Sequence, residues 1–134
     1  LVEKFIAGTE VAVTVTDGAT GASALPAVEI VPLDGVYSFE ARYNAGETTF
    51  FVPARVSNEV AAKISAAAVA VHDTLGLSQL SRIDLLVDEN GEPWFLEANA
   101  LPGLTETSSA PLAIEASGVD LGQLYEALAR AAAN

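Results

Sequence analysis

Between Glu10 and Thr16 the chain reads Glu-Val-Ala-Val-Thr-Val-Thr, a run rich in β-branched residues that predicts a strand. Asp17-Gly18 through Ser23 reads as a turn, Ala24 to Pro32 as the partner strand, and Thr49 to Val52 as a brief strand stopped by Pro53. The period then changes. From Ser57 to Leu75 apolar residues recur at helical spacing (Val60, Ala61, Ile64, Ala67, Ala68, Val71, Leu75), with Ser57 placed to cap the helix and Gly76 to close it. Glu106-Thr107-Ser108-Ser109 is expected to lead into a short helix that runs to about Ala116. A last one, capped by Asp120, runs from Leu121 to Ala133 with Leu121, Leu124, Tyr125, Leu128 and Ala132 on one stripe.

Between these helices lies a second hairpin, and it sorts its residues by face. Asn90-Gly91 sits at the centre of the turn Asp88 to Pro93, and a two-residue or four-residue loop there sets Arg82 opposite Asn99, Asp84 opposite Glu97 and Leu86 opposite Phe95. Side chains alternate along a strand, so Ile83, Leu85, Val87, Trp94, Leu96 and Ala98 form a wholly apolar face destined for the core, on which the long helix is expected to pack. Arg82, Asp84, Leu86, Phe95, Glu97 and Asn99 share the other face. Two carboxylates directly opposed are unfavourable unless a cation or a proton intervenes. Arg82 is one candidate for that cation. A metal is the other, because Asp84, Glu97 and the Asn99 amide offer the hard oxygen ligands that Mg²⁺ or Mn²⁺ takes. The pattern thus predicts α+β architecture: an antiparallel sheet with helices over one face.

Composition narrows the function classes. A chain of 134 residues has one domain's length. A net charge of -12 with only six Lys and Arg argues against a nucleic-acid or anionic-membrane surface. Cysteine is absent, which removes thiolate metal ligands and thiol nucleophiles and fits a cytoplasmic protein. No apolar run reaches the roughly 20 residues that span a bilayer, and no signal peptide is apparent. The chain opens on Leu1-Val2-Glu3-Lys4-Phe5 rather than Met, which suggests a fragment of a longer protein. His72, the single histidine, lies in the long helix without a partner motif and is assigned a surface or half-buried structural role. The stretch Asp34 to Thr48, with Tyr37, Phe39 and Tyr43, has no sustained period and reads as a functional loop. Gly103, in the loop Ala100 to Thr105, permits close backbone approach near the start of the following helix, where a small anion can sit.

Three segments together resemble the D-alanine–D-alanine ligases of the ATP-grasp superfamily. They are Arg82-Ile83-Asp84 with Leu96 to Thr105 (LEANALPGLT) and Ser108; Val2 to Ile6 with Glu10; and Tyr37 to Tyr43. The resemblance covers the whole chain and implies the C-terminal half of an ATP-grasp fold. It further implies an ATP-dependent ligase that joins two D-alanines through an acyl phosphate for peptidoglycan precursors. Carried onto this sequence, Glu3 and the backbone of Lys4, Phe5 and Ile6 would hold adenine, and Glu10 the ribose. Arg42 would approach the ATP phosphates where the family usually has a Lys, and a planar fork is not a point charge. Asp84, Glu97 and Asn99 would bind two Mg²⁺ or Mn²⁺ ions, Glu97 touching both. Arg82 and the Gly103 amide would hold the oxyanion of the tetrahedral intermediate, and Ser108, with Gly103 and Leu104, the second amino acid. In the resembling ligases a Tyr at the place of Tyr43 goes with peptide rather than depsipeptide formation, which implies an amine acceptor. The family's N-terminal domain and its central subdomain with two ATP-binding lysines have no counterpart here, so the fragment alone is expected to be inactive. A homodimer is compatible with the pattern. The competing classes are an ATP-grasp ligase for another carboxylate and amine, and a non-catalytic acidic binding module.

Overall fold

In the computed structural model, residues 2–18, 20–32, 48–105 and 108–133 are described. Their strands form an antiparallel sheet: β1 (Gly8–Gly18), β2 (Gly21–Ala24), β3 (Val28–Pro32), β4 (Thr48–Phe51), β5 (Leu80–Asp88) and β6 (Pro93–Asn99). The order across it is β4-β3-β1-β5-β6, with β2 also on β1. Three helices complete the described chain: α1 (Asn58–Thr74), α2 (Ser109–Ala116) and α3 (Leu121–Ala132). Among the described residues no helix is long and apolar enough to cross a membrane.

The expected partner of β1 is two strands rather than one. Thr16 pairs with Ser23 and Ala12 with Val28, on the same edge of β1, and the break between them falls at Leu25-Pro26-Ala27. Pro26 has no N–H to give a ladder, which explains the interruption. The Leu25 amide keeps the segment attached by donating to the Thr14 carbonyl at 2.8 Å.

Alternation along β1 divides the interior. Val11, Val13 and Val15 face α1, where they join Ile64, Ala68, Ile83, Leu85 and Val87 in the main core. Helix α1 begins as expected, with the Ser57 hydroxyl accepting from the Val60 amide. Leu75 falls at its C-cap and is exposed, while His72 takes a core position instead. Ala12, Thr14 and Val28, pointing the other way, are buried as well. Helix α2 contacts β1 and β3, and its buried Ala110, Ala113 and Ile114 stand outside the α1 cluster. The α+β class therefore holds, but the second face of the sheet is also partly covered, by α2. Helix α3 is amphipathic as expected, its Leu121, Leu124, Tyr125 and Leu128 half-buried and Ala132 exposed.

The β5–β6 hairpin corrects the expected register in one half and keeps it in the other. Its loop has three residues: the Asp88 amide donates to the Glu92 carbonyl at 3.1 Å and the Gly91 amide to the Asp88 carbonyl at 3.0 Å. Gly91 adopts φ 76°, the left-handed conformation that closes such a loop. A Cβ on Gly91 would also stand 2.6 Å from Val60 of α1, so the turn rests directly on the helix. This loop makes Leu85 face Phe95 and Leu86 face Trp94, one residue off the expected pairing. An irregularity between Asp84 and Leu85 then restores it, and Asp84 faces Glu97 while Arg82 faces Asn99. The two offsets cancel where the acidic pair lies.

A one-residue slip exchanges faces. Trp94, expected in the core, shares the face of Leu86 and is 42% exposed. Phe95, expected on the polar face, sits instead on the α1 side beside Val71 and Leu75. Leu96, also expected in the core, is exposed at the irregularity.

Candidate active site

The ladder between β1 and β5 is regular from Gly8 to Thr16, so the polar face of β5 can be followed residue by residue. Leu86 lies beside Glu10, Asp84 beside Ala12 and Arg82 beside Thr14. Alternate residues on a strand are about 7 Å apart, which places Arg82, Asp84 and Leu86 in a row along one face. Glu97 and Asn99 extend that face across β6.

At its centre the opposed carboxylates are bridged by arginine. Arg82 Nε donates to Asp84 Oδ1 and a terminal nitrogen to Asp84 Oδ2, both at 2.8 Å, a bidentate fork. The same guanidinium lies 3.7 Å from Glu97 Oε1. Asp84 is buried and Glu97 is half open to solvent. Burial pushes the Asp84 carboxyl above the ordinary carboxylate range, aided by Glu97, even though Arg82 pulls it down. Arg82, one of the two cations considered from the sequence, engages Asp84 directly. The donor set also suits a hard cation in kind, since Asp84, Glu97 and Asn99 offer only oxygen ligands and the raised Asp84 carboxyl marks a place where added positive charge would be favourable. Among the described residues no cluster of three or more acidic or histidine side chains is placed to hold a metal. Water and phosphate oxygens would have to complete the coordination. Asn99 Oδ1 accepts from the Leu101 amide at 3.0 Å, which fixes the start of the following loop.

That loop brings Gly103 to Ser108. A Cβ on residue 103 would stand 2.7 Å from Ser108 Oγ, so the loop backbone passes directly against that hydroxyl. Ser108 is the N-cap residue of α2, yet its hydroxyl makes no cap bond and instead lies 3.0 Å from Thr105 Oγ1. Leu104 lines a separate groove of about 590 Å³ with Leu77, Leu101 and Leu128.

Further along the sheet, the start of β1 and the end of β3 border a cavity of about 430 Å³ lined by Phe5, Ile6, Glu10, Ile30, Leu86 and Arg55 among others. Three of the residues assigned to nucleotide from the sequence therefore meet at one cavity, and Leu86 carries its wall back to the row of Asp84 and Arg82. Glu3 is exposed on the arm that leads into it. The Lys4 ammonium lies over the Trp94 ring, 5.1 Å from its centroid. Tyr43 and Arg42 lie outside the described residues.

Several contributors escaped the sequence reading. Leu86 was seen only as a hairpin residue. Glu29, buried on β3, accepts from Arg55 at 2.7 and 3.0 Å, and the Arg55 guanidinium also lies 3.5 Å from the centroid of Phe51. The Arg55 hydrogen bonds hold the Glu29 carboxyl below its ordinary value against the effect of burial. His72 is fully buried, its Nδ1 2.7 Å from Ser81 Oγ. No local motif could have announced these pairs, which join residues distant in the chain.

A family model described as the D-ala D-ala ligase C-terminus matches residues 1–130. The chain belongs to that family. A D-alanine–D-alanine ligase of Methylacidiphilum infernorum is 40% identical over 126 residues, covering 94% of this chain and 40% of that protein. One from Halalkalibacterium halodurans is 43% identical over 127 residues, covering 94% of this chain and 42% of its own. The chain thus spans about two-fifths of the length of the curated relatives it matches. Among solved structures, the D-alanine–D-alanine ligase of Bacillus anthracis complexed with ATP superposes with a TM-score of 0.73 at 28% identity, over 92% of this chain and 39% of that one. The VanG D-Ala:D-Ser ligase of Enterococcus faecalis gives 0.75 at 29% identity, over 92% of this chain and 36% of that one. The fold is that of ATP-grasp ligases, of which this chain covers a part.

Proposed function

We propose that the chain is the C-terminal part of a longer ligase that joins D-alanine to D-alanine with ATP, through an acyl phosphate. The observation that carries this reading is the polar face of β5: Arg82 forked onto Asp84 opposite Glu97, with Leu86 of the same row lining the cavity of Phe5, Ile6 and Glu10. The cavity suits adenine and ribose, with apolar walls for the ring and Glu10 as acceptor for the hydroxyls. Asp84, Glu97 and Asn99 would hold Mg²⁺ or Mn²⁺, which supplies charge neutralisation at the phosphates. Arg82 donates where negative charge develops, first at the transferring group and then at the tetrahedral carbon attacked by the acceptor amine. The Gly103 amide is the second donor to that oxyanion, and Ser108 holds the carboxylate of the acceptor. The product class is a D,D-dipeptide of the kind used in peptidoglycan precursors. Tyr43 favours an amine over a hydroxy acid as acceptor.

In the intact protein, Arg82→Ala is expected to lower turnover about 100- to 1,000-fold while the ATP dissociation constant changes little. A large rise in that constant with unchanged turnover would remove Arg82 from the oxyanion role. The likeness to a D-Ala:D-Ser ligase favours one second reading, in which the acceptor is D-serine. Product analysis with D-alanine, D-serine and D-lactate offered in turn separates the two. D-lactate joined as readily as D-alanine at neutral pH would refute the amine preference.

A further inference from the structure

The segment 2–7 that enters the cavity belongs to no strand. Two contacts within the described residues hold it to the sheet. At Gly8 the arm joins β1 so close to β5 that a Cβ would lie 2.3 Å from the Val87 carbonyl oxygen. Four residues earlier, the Lys4 ammonium covers the face of Trp94.

Trp94 is itself fixed. Its indole Nε1 donates to Asp88 Oδ2 at 3.0 Å, while Asp88 Oδ1 accepts from the Asn90 and Glu92 amides of the turn at 2.9 and 3.0 Å. The Trp94 bond leads the interactions that hold the Asp88 carboxyl below its ordinary value, with Lys4 contributing a smaller share. The three-residue loop puts Trp94 opposite Leu86, and Leu86 opposite Glu10, so the three form a row across the sheet in which the latter two line the cavity. Between the Lys4 and Gly8 anchors lie Phe5, Ile6 and Ala7, all of which line the same cavity.

We propose that Trp94 is a positioning residue for the nucleotide: gripped by Asp88 and covered by Lys4, its indole fixes the 2–7 arm so that Phe5 and Ile6 form a preset wall of the cavity. This rests on the reading that the cavity takes the nucleotide. Trp94 does not touch the ligand; it acts through Lys4 on the backbone between the two anchors. Without it, the arm loses its contact at Lys4 and Phe5 and Ile6 are less firmly preset, which weakens affinity and leaves the chemistry at Asp84, Glu97 and Arg82 unaltered.

The test is calorimetric titration of ADP with Mg²⁺ into the intact protein and its variants, with steady-state kinetics beside it. Trp94→Leu is expected to weaken ADP binding about five- to tenfold and to raise KM for ATP in proportion. Its kcat at saturating ATP should remain within about twofold of the parent. Trp94→Phe keeps a ring face for Lys4 but loses the bond to Asp88, and recovers only part of the loss. Lys4→Gln weakens binding in the same direction, and adding Trp94→Leu to it costs little more, because the two act through one contact. If the parent protein binds ADP and Trp94→Leu binds it equally tightly, the proposal is overturned while the nucleotide reading stands. If the parent protein takes up no ADP, that reading fails and the proposal falls with it.

Discussion

Replacing Arg82 by Met tests whether the fork on Asp84 holds the site face together. The Arg82 side chain is 17% exposed and that of Asp84 7%, and the two hydrogen bonds between them are both 2.8 Å. Methionine keeps the aliphatic stem and removes the charge, leaving a buried carboxylate opposed to Glu97. Breaking a buried pair in this way costs about 3 to 5 kcal/mol. The partial exposure of Arg82 argues for the lower end, about 3 kcal/mol, or roughly 10 °C in Tm for a domain of this size. The penalty should depend on pH. The folded Asp84 carboxyl already lies above its unfolded value of 3.8, chiefly through burial, so its contribution favours folding below that value and is lost as pH rises through the folded value. Without Arg82 the folded value rises further and the loss extends to higher pH. Urea unfolding should therefore show the largest gap between Arg82→Met and the parent at neutral pH and a smaller one at about pH 4.5. Arg82→Met with Asp84→Asn should recover part of the difference. A loss below about 1 kcal/mol at neutral pH, or an equal loss at both pH values, would refute the reasoning and show Asp84 to be solvated rather than held.

Other outcomes follow from single contacts. Gly91→Ala must tolerate φ 76° and a Cβ pressed on Val60, and should cost about 2 kcal/mol by thermal unfolding; Val60→Ala in the same chain should relieve the steric part. Glu29 is held below its ordinary value of 4.5 by Arg55, so its stabilising contribution is present above that value and fades as pH falls through the folded one. Melting curves of Glu29→Gln should accordingly fall less steeply with acidification than those of the parent. Ser57→Ala removes the cap bond to the Val60 amide and should cost about 1 kcal/mol in urea unfolding.

The regular elements were legible because their cues are local. The strand at Glu10 to Thr16, the Ser57 and Asp120 caps and the helices from 58, 109 and 121 each follow from a periodicity or capping residue within a few positions. Asp84 facing Glu97 was also legible, though through two irregularities that cancel. The positions of Trp94, Phe95 and Leu96 were not. They depend on a loop one residue different from those expected and on an irregularity that the composition of β6 does not reveal. The pairing of Glu29 with Arg55 and of His72 with Ser81 depends on which strand and helix come to lie side by side, and Glu29 and Arg55 stand 26 residues apart.

By itself, the sequence determined which residues carry charge and oxygen ligands, which segments become helix or strand, and the resemblance that pointed to a ligase. Tertiary structure alone decided that Arg82 forks onto Asp84, that Leu86 joins the acidic row to the cavity of Phe5 and Glu10, and that Trp94 shares the face of Leu86. The physical reason is the period of two along a strand. A single residue gained or lost in a loop sends every later side chain to the opposite face, and only the neighbouring strands and α1 select which alternative is the stable one.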